Sequence, residues 1–302
     1  MAENPLLEPI KRRGVAILDG GLATELESRG HNLGDALWSA RLLRDVPEAI
    51  SAVHADYLDA GADCIVTASY QASFDGFQRA GIERAEGEAL LRRSVALALA
   101  ARGDRPALVA ASIGPYGGAL ANGAEFTGDY GCGEQELFEW HRERFAVLAS
   151  SGADLVACET VPSFAEARAL ARLIEATPNL WGWISFSCRD DEHLSDGTPL
   201  RECAAHLDTV ARVAAVGINC TAPRHIGGLI ESAVGATSKP IVVYPNAGRT
   251  WHASSKSWVG AGNDTDLAEQ AVEWCALGAR AIGGCCGTRP DDIRRIRERL
   301  TV

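Results

Sequence analysis

Three times along this chain a helix-like stretch ends in glycine and passes straight into a short apolar run. Gly61-Ala62-Asp63 leads into CIVTAS, Gly152-Ala153-Asp154 into LVACET, and Gly278-Ala279-Arg280 into AIGGCC. A glycine just beyond a helix supplies its left-handed cap, and a short β-branched run after it reads as a buried strand. This unit of helix, tight turn and strand constrains the fold more than any other feature, because repeating it demands parallel strands joined by helical crossovers.

Eight strand candidates are consistent with that unit: 15–19, 64–68, 107–112, 155–159, 182–187, 215–219, 240–245 and 281–284. Helical patterns lie between them at 47–60, 87–102, 136–151, 163–176 and 265–278. Strands that read as continuous apolar runs are covered on both faces. Eight such units in 302 residues predict an α/β fold, a TIM barrel formed as one domain over 1–302, in preference to an open doubly wound sheet. Two Gly-rich segments, 113–134 and 246–263, exceed ordinary loop length and read as functional lids.

Charge narrows the range of partners. A formal net charge of -11, with Lys and Arg scattered, leaves no basic footprint for nucleic acid or an anionic membrane surface. No apolar run is long enough to span a bilayer, and the amino terminus lacks the apolar centre of a signal peptide, so a cytoplasmic protein is expected, as a monomer or small homo-oligomer. The nine cysteines are odd in number and dispersed, which argues for reduced thiols; Cys64, Cys158, Cys188 and Cys275 read as packing residues.

In a parallel barrel the carboxyl ends of all strands converge on one face. Here those ends carry Asp19, Thr67, Ser112, Glu159, Ser187, Asn219 with Cys220, Asn246, and Cys285 with Cys286. Three thiolates from the sixth and eighth strands suit a tetrahedral zinc ion with one position left open. Spacing alone leaves two alternatives standing, unrelated packed cysteines and a strained disulfide between the adjacent pair. Gly283, Gly284 and Gly287 fit the metal reading by letting the backbone turn both sulfurs the same way.

The segments DGGLATELESRG (19–30), ALWSA (36–40), TASYQAS (67–73), ACET (157–160), GINC (217–220), YPNAG (244–248) and GGCCGT (283–288) together resemble the homocysteine S-methyltransferases. The resemblance implies a zinc-dependent, homocysteine-binding barrel domain that methylates homocysteine to methionine, with Cys220, Cys285 and Cys286 as metal ligands. Asp19 and Glu159 then match positions that hold the substrate ammonium, against a plainer role in capping or loop bonding. Gly20 and Gly21 offer amides to its carboxylate. Asn219 joins the substrate group, while Asn246 falls at the open metal position or just behind it. Thr67 and Gln71 lie in a matched segment, although such groups also satisfy loop backbone.

The compact chain is most similar to the branch that uses a sulfonium donor, S-methylmethionine or S-adenosylmethionine. Trp38, Trp251, Trp258, Tyr116 and Tyr130 are candidate faces for that cation, with loop packing as the alternative. A methyltransferase acting on selenocysteine or another thiol, and a non-catalytic zinc or redox thiol protein, are the competing functions.

Overall fold

The computed structural model describes residues 3–33, 39–120, 122–248, 250–252, 257–259 and 266–300. Its strands are β1 (Ala16–Ile17), β2 (Cys64–Val66), β3 (Leu108–Ile113), β4 (Leu155–Val161), β5 (Gly182–Phe186), β6 (Val213–Asn219), β7 (Ile241–Tyr244), β8 (Thr250–His252), β9 (Ser257–Val259) and β10 (Ala279–Ile282). Eight of them form one parallel sheet in the order β1-β10-β7-β6-β5-β4-β3-β2. The sheet's two ends meet: Leu18 bridges Cys64 in parallel, the Asp19 N–H donates to Cys64 O at 3.0 Å, and the Asp63 N–H donates to Ile17 O at 2.7 Å. The fold is the predicted TIM barrel.

Side-chain alternation fills its interior. Ala16, Leu18, Cys64, Ala110, Leu155, Ala157, Trp183, Ala215, Val242, Tyr244 and Ala281 pack together inside. The alanines leave the volume that Trp183 and Tyr244 occupy, with ring centroids 6.4 Å apart and planes at 81°. The Trp183 Nε1–H donates to the Tyr244 hydroxyl at 3.0 Å, and Ser185 Oγ bonds the same hydroxyl at 2.5 Å, so neither aromatic carries an unpaired polar atom into the core. Truncating Trp183, which is fully buried, to alanine would cost roughly 3–5 kcal/mol.

The amino-terminal face of the barrel is closed by residues ahead of β1. Leu6 is fully buried, and the Asn4 side-chain amide donates to Ala214 O at 2.8 Å. On the same face Asp63 accepts from the Ile17 N–H at 3.0 Å and pairs with Arg12, Arg13 and Arg297.

The structure extends the sequence reading in two places. The described part of segment 246–263 contains the antiparallel pair β8 and β9. Segment 113–134 folds into a short helix, Tyr116–Leu120, and a 3-10 turn, Ala124–Phe126. Cys188 lies just beyond the end of β5. Among the described residues, no helix is long and apolar enough to cross a membrane.

Candidate metal and substrate site

The three cysteines converge. Cys220 Sγ lies 2.8 Å from Cys285 Sγ and 3.7 Å from Cys286 Sγ, and the adjacent pair are 4.0 Å apart. Two sulfurs bound to one tetrahedral zinc at about 2.3 Å are about 3.8 Å from each other. Two of the three separations therefore already match a metal claw, and the third needs to open by about 1 Å. Among the described residues this is the one cluster of side chains able to hold a metal ion.

The backbone creates this convergence at some strain. Cys220 follows β6 with φ of 48°, in the left-handed region that a non-glycine residue occupies only when its surroundings impose it. Its N–H is held by Tyr244 O at 3.2 Å, while the Cys285 N–H is held by Pro245 O at 2.8 Å and Cys286 O accepts from the Ala247 N–H at 2.8 Å. The end of β7 thus clamps both cysteine loops.

Of the three glycines expected to free the backbone, only Gly287 has a positive φ, of 85°. Gly283 and Gly284 are small for a different reason: a Cβ there would lie 2.6 Å from Asp19 O and 2.3 Å from Thr288 Oγ1. They bring β10 against the β1 loop, which sets Asp19 beside the sulfurs.

Crowding also polarises the thiols. Hydrogen bonds from its two neighbours hold Cys286 well below the usual thiol range, whereas sharing with Cys285 and Cys286, followed by burial, pushes Cys220 up.

Two carboxylates flank it. Asp19 Oδ2 accepts from the Val66 N–H at 2.8 Å, and Glu159 Oε1 accepts from Ser112 Oγ at 2.5 Å. Burial raises both, Glu159 to about 8, with further upward pushes from Cys285 on each and from Glu159 on Asp19. Neither has an arginine, lysine or histidine as a counter-charge among the described residues. Buried carboxylates in that condition favour a cationic ligand.

The remaining expected residues divide by what already binds them. The Gly21 N–H is taken by Thr288 O at 3.3 Å and Thr288 Oγ1 at 3.1 Å, which leaves the Gly20 amide uncommitted among the described residues. Thr67 Oγ1 accepts from the Ser112 N–H at 3.0 Å and bonds Ser69 Oγ at 2.8 Å, so it braces β2 against β3. Asn219 spends both ends of its amide on Thr160, at 2.7 Å each, and so holds that residue at φ of 59°. Asn246 accepts from the Gly248 N–H at 2.9 Å and donates to Cys220 O at 3.4 Å, which places it behind the claw. Gln71 Oε1 is buried without a partner.

Of the aromatic candidates, Tyr116 packs edge-on against Tyr130 and Trp140 at 5.3 and 5.0 Å. Trp38 and the side chains of Trp251 and Trp258 lie outside the described residues. Sequence reasoning missed Tyr70, which lies within electrostatic range of Cys220 and Glu159, and Glu125, which lies within range of Tyr70. Tyr70 stands beside strand-end residues in TASYQAS, whereas nothing local distinguishes Glu125 from a solvated loop acid.

Comparison with known proteins agrees with this geometry. The family described as Homocysteine S-methyltransferase matches residues 16–300. The chain is 47% identical over 304 residues to homocysteine S-methyltransferase YbgG of Bacillus subtilis (strain 168), covering 97% of this chain and 96% of that one. It is 45% identical over 309 residues to a selenocysteine Se-methyltransferase of Brassica oleracea var. italica, covering 95% and 89%. Among solved structures, the metallated form of the homocysteine methyltransferase MmuM from Escherichia coli superposes with a TM-score of 0.88 at 45% identity, covering 98% of this chain and 99% of that one. A methyltransferase by these measures, the chain belongs to the homocysteine S-methyltransferase family.

Proposed function

We propose that this protein transfers a methyl group from a sulfonium donor, S-methylmethionine or S-adenosylmethionine, to the thiol of homocysteine, with zinc as the metal at Cys220, Cys285 and Cys286. The observation that carries the reading is the convergence of three sulfurs beside two buried carboxylates without counter-charges. Zinc bound there would supply a fourth position in which an incoming thiol is held as its thiolate at neutral pH.

Asp19 and Glu159 bind the homocysteine ammonium and orient its sulfur toward the cysteine cluster. The uncommitted Gly20 amide takes the carboxylate. The substrate sulfur then attacks the methyl carbon of the donor, the methyl–sulfonium bond breaks with its electron pair passing to the donor sulfur, and a neutral thioether leaves. No acid is needed for that departure, so none of the seven histidines is required for transfer. We place this chemistry in one homocysteine-binding barrel domain of a cytoplasmic enzyme whose partners are small molecules.

Incubating purified, zinc-loaded protein with homocysteine and, separately, S-methylmethionine, S-adenosylmethionine and betaine tests the reading. Methionine should form from at least one sulfonium; formation from betaine alone would refute it. The 45% identity to a selenocysteine Se-methyltransferase favours a second acceptor, and the same assay with selenocysteine measures it.

A further inference from the structure

Glu125 lies in the 3-10 turn Ala124–Phe126, over the carboxyl ends of the strands. Its backbone is fixed there: Ser187 Oγ, at the end of β5, donates to Glu125 O at 2.8 Å, and Gly117 approaches so closely that a Cβ would lie 2.5 Å from Glu125 N. The side chain is about nine-tenths buried, and Oε2 has no hydrogen-bond partner. Burial pushes its carboxyl up to about 7, and no cation among the described residues offsets the charge. A buried acid in this state destabilises the folded chain unless something fills the position.

Its surroundings indicate what does. The Tyr70 phenol, bonded to Thr160, is influenced by both Glu125 and Cys220, so it stands within electrostatic range of the acid and of the claw. Gln71 Oε1, one residue along, is a second buried acceptor without a partner. Two unfilled buried acceptors, one within electrostatic range of Tyr70 and the other on the next residue, match a group with several N–H donors.

We infer that Glu125, with Gln71 beside Tyr70, holds the α-ammonium group of the methyl donor. The inference rests on the sulfonium-donor reading above. The donor's other cation, the sulfonium itself, is a poorer occupant. Methyl transfer from sulfonium to thiolate cancels both charges, so a carboxylate against the sulfonium would favour the ground state over the transition state and slow the reaction. The ammonium keeps its charge throughout and can be gripped without that cost. Glu125 is therefore a binding residue that selects amino-acid sulfonium donors.

A cycle on protein and ligand tests this. Equilibrium binding of S-methylmethionine, and of its analogue lacking the amino group, is measured on metal-loaded wild-type protein and on Glu125→Gln, with homocysteine binding measured on both as the check of an intact site. The expected result is a ten- to hundredfold loss of S-methylmethionine affinity in Glu125→Gln, no further loss for the deaminated analogue, and homocysteine affinity within twofold of wild type. Equal losses for both ligands, no loss for either, a matching loss of homocysteine binding, or no S-methylmethionine binding by the wild type would overturn it. Wild-type protein that shows the coupling yet transfers no methyl group from any sulfonium would refute the proposed reaction and leave the ammonium subsite standing.

Discussion

The two ends of this barrel treat a buried acid in opposite ways. At the amino-terminal end Asp63 accepts a backbone bond from Ile17 and is ringed by Arg12, Arg13 and Arg297. At the carboxyl end Asp19 and Glu159 are as deeply buried, yet each has only a neutral donor and no cation beside it. Both arrangements place a carboxyl where water cannot solvate its charged form. What separates them is the counter-charge: supplied by the chain at one end, left to a ligand at the other. The first arrangement is structural and the second is a binding site, although residue type and burial are nearly the same.

Substitutions can break this contrast, and the largest effect should fall on the claw. Replacing Cys220 with alanine is expected to reduce methyl transfer below roughly a thousandth of wild type and to abolish metal retention, with far-ultraviolet circular dichroism unchanged. Activity near wild type in a metal-free variant would end the metal reading.

Glu159→Gln removes the carboxyl that can ionise against a bound ammonium at the mouth. It should raise KM for homocysteine by roughly tenfold to a hundredfold while leaving the urea midpoint equal to or above that of wild type. Asp63→Asn should do the reverse, lowering stability by about 2 kcal/mol with KM unmoved. A stability loss in the first variant, or a KM change in the second, would erase the distinction between the two ends.

His54 sharpens the comparison from outside both ends. It lies on the helix Pro47–Asp59, fully buried, with neither ring nitrogen partnered, and burial lowers it to about 4. A histidine whose folded value is depressed contributes its full stability above the unfolded value of about 6.5 and loses it as pH falls toward 4. The depression corresponds to about 3.5 kcal/mol at most. Because other acids titrate in the same window, the readout is the difference: His54→Leu should lose less stability than wild type between pH 7 and pH 4, and parallel curves would show that the ring is not held neutral.

The barrel was legible in the sequence because the unit of helix, glycine and apolar strand recurs, though at uneven spacing, and each copy depends on local geometry. The claw was legible in part: strand ends placed Cys220 with Cys285 and Cys286, while their convergence required the left-handed turn at Cys220, which no local pattern announces. The roles of Gly283 and Gly284 were legible as a need for small residues but for the wrong reason, since contact with Asp19 and Thr288 is a long-range fact. Thr67 and Asn219 sit at the mouth as expected, yet their polar groups serve neighbouring backbone and Thr160. Glu125 was invisible because its backbone is fixed by non-local contacts with Gly117 and Ser187, neither of which marks it in sequence.

The central claim is that the carboxyl end of the barrel is a three-sulfur metal claw with one position reserved for the substrate thiol. Zinc-edge X-ray absorption on zinc-loaded protein, with and without homocysteine, tests it most directly. Three sulfur ligands should become four when homocysteine is added; a sulfur count that stays at three, or a first shell dominated by nitrogen and oxygen, would contradict the account.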